Sequence, residues 1–226
     1  MNLEPNNLSS YKMTEIDLMI FDFDGTLVSS GNDIAASVNH ALKTLGIPVL
    51  KKEKIIEFVG DGVEKLIGRS LGDKANGRFD EAMEIFMSHY SKHMLDTTKL
   101  YPGALSALSH FQDKKKIILT NKHHIFTSRI AERLKIADYF DEIIGAGSTP
   151  YKKPDTRLLP PILKRFRTAP DHAVVIGDGI NDILLARNAG VLSCAFLNGL
   201  DGRNTLLSLK PDFSCEDISE LKKIFC

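Results

Sequence analysis

A short apolar run that stops at an acidic, glycine-containing turn constrains this chain more than any other feature. Leu18, Met19, Ile20 and Phe21 lack helical spacing and give way to Asp22-Phe23-Asp24-Gly25. Such a run predicts a strand buried on both faces, with polar residues at its C-terminal end. The pattern returns far downstream. Ile117, Ile118 and Leu119 lead into Thr120-Asn121, Ala173 to Ile176 lead into Gly177-Asp178, and Val191 to Phe196 is a further candidate. Between them Ile125, Ile130, Leu134 and Ile136 space as one helix face, and Ile183, Leu184, Leu185 and Ala189 do likewise. Strands alternating with helices predict the α/β class and a doubly wound parallel sheet. In such sheets a ligand sits at the carboxyl ends of the strands.

Residues 32–99 interrupt the alternation. Ile34, Val38, Ala41, Leu42 and Leu45 form a helix stripe closed by Gly46 and Pro48, and Ile55-Ile56, Val63-Leu66-Ile67 and Met83-Phe86-Met87-Tyr90-Met94 suggest more helices. The expected organisation is a core of residues 1–31 and 100–226, with 1–16 a loose leader, and an all-helical insert at 32–99 placed to act as a lid. Lysine plus arginine and aspartate plus glutamate each number 29, for a net charge of +0. That balance argues against a general nucleic-acid or anionic-membrane binder. No run approaches the roughly 18 apolar residues of a membrane span, and the N-terminus has no apolar signal-peptide core. Cys194, Cys215 and Cys226 form no CxxC pair, which fits reduced thiols and a cytoplasmic location.

Asp22 and Asp24 are two apart, so in an extended strand they share a face. Such a pair suits a divalent cation plus a nucleophile: one carboxylate can attack a phosphoryl group and the other can move the proton. A plain turn, with Asp to cap and Gly to bend, uses the same residues. Asp178 and Asp182, in Gly177-Asp-Gly-Ile-Asn-Asp182, project to one side of a helix start. Beside the first pair they would repel unless a cation compensates; helix capping is the alternative. Thr120 and Asn121 could hold a phosphate oxygen or cap the next helix. Lys153, kept extended by Pro154, could offset phosphate charge or simply be solvated. Gly60-Asp61-Gly62 reads as a helix-breaking loop that could face substrate.

In their order, Asp22-Phe-Asp-Gly-Thr26, Thr120-Asn121, Lys153-Pro154 and Gly177–Asp182 resemble the four motifs of the haloacid dehalogenase superfamily. The chain is most similar to its phosphoglycolate-phosphatase-like branch, with a helical cap after the first motif. The resemblance implies a Rossmann-like core, an Asp22 nucleophile and an Asp24 general acid/base. It also implies Mg²⁺ held by Asp22, the Asp24 carbonyl and Asp178, with Asp182 joining directly or through water. Thr120, the Asn121 amide and Lys153 would bind the transferring phosphoryl group. Dehalogenases of the superfamily lack the second aspartate, so dehalogenation is disfavoured. One departure is Ser29-Ser30, where phosphoglycolate-like enzymes usually carry Asp-Ser.

The function implied is Mg²⁺-dependent hydrolysis of a small phosphorylated metabolite, phosphoglycolate first among candidates, by a monomer or homodimer. Within the superfamily the alternatives are a phosphosugar mutase, a nucleotidase, a pyrophosphatase or a phosphonatase; outside enzymes, a phospho-ligand binding or regulatory protein. Gly60–Gly62, Lys65 and Arg69 are the cap residues that could read the substrate. His89 and His93, four apart, are expected in surface or packing roles, since no third ligand is evident. His123-His124 suit a solvated helix start, and Lys114-Lys115-Lys116 an exposed turn.

Overall fold

The computed structural model describes residues 13–74 and 77–226. In chain order the elements are β1 (Leu18–Phe21), β2 (Val28–Ser29), α1 (Gly31–Thr44), α2 (Lys52–Ile56), α3 (Val63–Leu71) and α4 (Phe79–His93). There follow β3 (Lys99–Leu100), α5 (Ala104–His110), β4 (Lys115–His123), α6 (His124–Arg133) and β5 (Glu142–Ala146). The chain ends with α7 (Leu159–Phe166), β6 (Ala173–Gly177), α8 (Ile180–Ala189), β7 (Leu192–Phe196), α9 (Arg203–Ser208), β8 (Phe213–Cys215) and α10 (Leu221–Ile224). Six strands form a parallel sheet in the order β5-β4-β1-β6-β7-β8. This is the α/β, Rossmann-like arrangement expected from the alternating runs.

The apolar runs are continuous because both faces of the sheet are covered. Along β1, Met19 and Phe21 enter one core while Leu18 and Ile20 enter the other. Strand β6 alternates in the same way, with Val174 and Ile176 on the first side and Ala173 and Val175 on the second. The second core is closed by Leu159 and Ile162 of α7 and Leu185 of α8. Strand β1 lies between β4 and β6, with Phe21 in register with Ile118 and Ile176. The residues just beyond Phe21, Ile118 and Ile176 therefore lie side by side at this end of the sheet.

Three details differ from expectation. Strand β4 runs on through Thr120 and Asn121 to His123, so these residues lie within the strand instead of ending it. Lys116 is buried, its ammonium donating to the carbonyls of Phe111 and Lys114 at 2.5 and 2.8 Å, so the lysine run is not simply an exposed turn. The last residues of the stretch expected as a leader, 1–16, are also tied to the fold. Residues 1–12 lie outside the described residues, but Thr14 and Ile16 donate main-chain hydrogen bonds to Ile224 and Cys226, and Ile16 is buried. All three cysteines are free thiols, Cys194 and Cys215 buried and Cys226 exposed. Among the described residues no helix is long and apolar enough to cross a membrane.

Helices α1–α4 leave and re-enter the sheet through β2 and β3, which pair antiparallel with each other. The two crossings are tied by Asp33, whose carboxylate accepts from the main-chain N–H and hydroxyl groups of Thr97 and Thr98 at 2.6–3.1 Å. Helix α1 packs chiefly on α4. Along that seam His40, His89 and His93 stack, with ring centroids 4.0 and 4.2 Å apart. Desolvation, then the neighbouring His40 and His93, hold His89 below the ordinary histidine value of 6.5, with Lys92 adding to the effect and Asp96 opposing it.

A histidine whose folded pKa is depressed binds its proton more readily in the unfolded chain, so stability falls as the pH drops through the ordinary value. The thermal midpoint should therefore decline below pH 6.5, and His89→Gln should flatten that decline. Identical pH slopes for variant and parent would remove His89 from the explanation.

Candidate active site

The site forms where β1, β4 and β6 end. Asp22 follows β1 directly and its N–H donates to Ile176 O at 2.8 Å. Gly25 has φ +88°, and an added Cβ there would collide with the Asp178 carboxylate. Glycine is required at that turn both for its backbone and for the close approach of the β6 end. Gly177 is needed for a similar reason, since a Cβ would strike the Asp182 side chain.

Carboxylate oxygens of Asp22, Asp178 and Asp182 all lie within 4.8 Å of one another, and among the described residues this is the one such group of three or more metal-capable side chains. Lys153 enters from the loop before α7. Its buried ammonium lies 2.6 Å from Asp182 Oδ1 and 2.7 Å from Asp22 Oδ1. The contact with Asp182 is a hydrogen bond, whereas that with Asp22 falls outside hydrogen-bond angles. Asp22 Oδ1 is thus shut off from solvent with no hydrogen-bond partner among the described residues. Asp178 accepts from Thr26 Oγ1 at 2.6 Å and from the Leu200 N–H at 2.7 Å. Asp182 accepts from the Gly179 N–H at 3.1 Å, so it supports the start of α8 as well as facing Lys153.

Burial, then the adjacent Asp22, push the Asp178 carboxyl well above the usual range. Asp182 is pushed up to about 7 by burial and by Asp22, against the opposing pull of Lys153. Lys153 is held above its ordinary value: burial works against its charge, and Asp182 and Asp22 outweigh that. Three acids sharing one ammonium remain short of positive charge. An all-oxygen donor set with one orphaned buried oxygen fits a hard divalent cation such as Mg²⁺.

Asp24 lies apart from that trio. Its carboxylate accepts from Ser30 Oγ at 2.5 Å and from Lys122 Nζ at 2.9 and 3.1 Å. Thr120 faces the same space, its hydroxyl oxygen accepting from the Lys122 N–H at 3.2 Å. The Asn121 side chain works as a brace, its amide nitrogen donating to the carbonyls of Gly60 and Lys153 at 2.9 Å and its oxygen accepting from the Lys153 N–H at 2.8 Å. It thereby sets the height of the lysine loop.

The loop 60–62 comes down onto this end of the sheet. Asn181 donates to Gly60 O at 3.2 Å and to Asp61 Oδ1 at 2.8 Å, while Arg69 holds Asp61 from the other side at 2.5 Å. Arg69 shares a cavity of about 200 Å³ with Asp22, Lys153 and Asp182. Lys65 does not line it; its ammonium is 3.9 Å from Asp61 and largely exposed. A second cavity, of about 70 Å³, opens beside Asp22 and Asp24 and is walled by Leu66, Phe86, Tyr90 and Phe126. His123 reaches that wall and also caps α6, accepting from the Ile125 N–H.

The sequence reading missed Lys122, Tyr90 and the roles of Thr26 and Ser30. Thr26 stands inside the first motif, whose pattern gives it no role of its own. Lys122 follows Thr120-Asn121 directly, yet a lysine beside two histidines gives no local sign of burial.

The family model for haloacid dehalogenase-like hydrolases matches residues 19–196. The chain belongs to that family. Among relatives of this hydrolase, a phosphoglycolate phosphatase of Vibrio parahaemolyticus is 31% identical over 219 residues, spanning 93% of this chain and 96% of the relative. One from Psychrobacter arcticus is 35% identical over 214 residues, spanning 90% and 93%. The crystal structure of a predicted phosphoglycolate phosphatase from Haemophilus somnus superposes with a TM-score of 0.89 at 27% identity, covering 94% of this chain and 99% of that one. A haloacid dehalogenase-like hydrolase from Streptococcus pneumoniae gives 0.83 at 28% identity, covering 93% and 98%. As in other members of this hydrolase family, the fold is a capped α/β core.

Proposed function

We propose that this hydrolase is a phosphatase that cleaves a small phosphate monoester, phosphoglycolate first among candidates, through an aspartyl-phosphate intermediate. The observation that carries the reading is the meeting of Asp22, Lys153, Asp178 and Asp182 at one point with Asp24 on the adjoining wall. Relatives named phosphoglycolate phosphatase, about 31–35% identical over at least 90% of the chain, support the substrate class. The small cavity beside Asp24 suits a compact leaving group.

In the proposed reaction an Asp22 oxygen bonds to phosphorus as the bond to the substrate's ester oxygen breaks. Asp24 gives that departing oxygen a proton. Asp24 then takes a proton from water, whose oxygen attacks the phosphorus of the aspartyl phosphate, freeing phosphate and restoring Asp22. Lys153 holds Asp22 in place and faces the charge on the phosphoryl oxygens, with Thr120 and the Asn121 amide as further donors. Mg²⁺ bound by Asp22, Asp178 and the Asp24 carbonyl, with Asp182 directly or through water, would neutralise negative charge that these residues cannot. Residues 32–99 serve as the lid, and 1–31 with 100–226 as the core beneath it.

The test is phosphate release across phosphoglycolate, hexose phosphates, nucleotides and pyrophosphate, with Mg²⁺ and after chelation. Phosphoglycolate should lead, chelation should abolish release, and Mg²⁺ should restore it. No release from any phosphate monoester would sink the proposal.

A further inference from the structure

Lys122 is a lysine with no assigned task, yet its side chain is only 7% exposed and sits between the lid and Asp24. Its ammonium contacts both Asp24 oxygens at 2.9 and 3.1 Å and the Tyr90 hydroxyl at 2.6 Å, and it lies 4.6 Å from the centre of the Tyr90 ring. Tyr90 belongs to α4 in the helical insert, whereas Lys122 belongs to β4 of the sheet. Tyr90 is itself fixed, stacked on Phe86 at 5.4 Å and edge-on to Phe126 at 5.1 Å.

Burying an ammonium and a carboxylate costs several kcal/mol of lost hydration that pairing barely offsets, so a chain needing only stability does as well with apolar residues. The pair earns its place more readily through geometry. Two bonds to one carboxylate fix its rotation, and Ser30 adds a third at Oδ1. Half of what holds Lys122 comes from the lid. If α4 lifts away, Lys122 loses the hydroxyl and the ring face together, and the carboxylate loses its fixed donor.

We infer that Lys122 is a positioning residue that aims Asp24 at the leaving oxygen only while Tyr90 of the lid is seated on it. The inference rests on the reading of Asp24 as general acid and deepens it. It makes proton delivery conditional on closure, so an open site would not protonate a departing alkoxide.

The experiment compares two phosphoryl donors in a single turnover, reading release of the leaving group. Phosphoglycolate loses an alkoxide that needs a proton; acetyl phosphate loses acetate, which does not. Lys122→Met should slow alkoxide release by about 100-fold and acetate release by no more than about threefold, the range expected for general acid catalysis being about 10² to 10⁴. Tyr90→Phe, which keeps the ring and its stacking, should show the same selectivity at roughly tenfold. It also carries the test should Lys122→Met fail to fold. Asp24→Asn is the control. If Asp24→Asn is selective and neither of the other variants is, the inference falls and the reading of Asp24 stands; if Asp24→Asn slows both donors equally, both fall.

Discussion

Asp22→Asn should lower turnover by about four orders of magnitude or more, as expected when the attacking group of a covalent mechanism is removed. An amide has the shape of the carboxylate but lacks a nucleophilic anionic oxygen. The fold should survive, because Asp22 is anchored by its main chain to Ile176 and lies past the end of the buried strand β1. The substitution also removes one of three acids that crowd a single ammonium. Without added cation the variant should therefore melt no lower than the parent. Phosphate release and circular dichroism on the same preparations decide the matter. Residual turnover above roughly 1% of the parent, in a folded sample, would take the nucleophile's role away from Asp22.

Strands β1 and β6 were legible because burial on both faces leaves no polar position in them. The same rule located the carboxyl ends, and pairing of β1 with both β4 and β6 then puts Asp22, Thr120 and Asp178 close together. Strands β5 and β8 were missed. Strand β5 lies at a sheet edge, is only partly buried and offers just the Ile143-Ile144 pair before Gly145, and β8 is three residues long, so neither stands out as a strand. In sequence, the polar residues after Leu119 look like the end of a strand. Thr120 and Asn121 are instead 6% and 5% exposed, and Asn121 is tolerated there because its amide is bonded to Gly60 and to the Lys153 main chain on both sides. Lys122 was illegible for a different reason. Its partners lie 98 and 32 residues away, and no local pattern tells a buried lysine from a solvated one when the counter-charge comes from another element. Arg69 and Lys65 looked alike in sequence, one turn apart on α3, and only packing turns Arg69 towards the cavity that holds Asp22.

Lys153→Met should separate the two jobs proposed for this one side chain. Lys153 is 5% exposed, and its ammonium is shared between Asp182 and Asp22 at 2.6 and 2.7 Å. Removing one partner from a buried ion cluster leaves uncompensated charge, a loss of about 3–5 kcal/mol. Part of that loss should be avoided here, because Asp178 and Asp182 already sit above the usual carboxyl range and can hold protons instead. A destabilisation of about 3 kcal/mol is the expected result in the absence of divalent cation. A cation that binds only the folded chain stabilises it by mass action, about 2.7 kcal/mol at a hundred times its dissociation constant. With no ammonium competing for the same oxygens, Mg²⁺ should bind the variant more tightly and raise its melting temperature by more than it raises the parent's. Turnover should nonetheless stay down by about 10³-fold at saturating Mg²⁺ if, as proposed, the ammonium also faces the charge on the phosphoryl oxygens. Denaturant unfolding and phosphate release over one Mg²⁺ titration read both jobs. An Mg²⁺-induced rise no larger than the parent's would mean that Lys153 and the cation do not answer the same cluster of acids. Full recovery of turnover with Mg²⁺ would reduce Lys153 to a structural counter-charge.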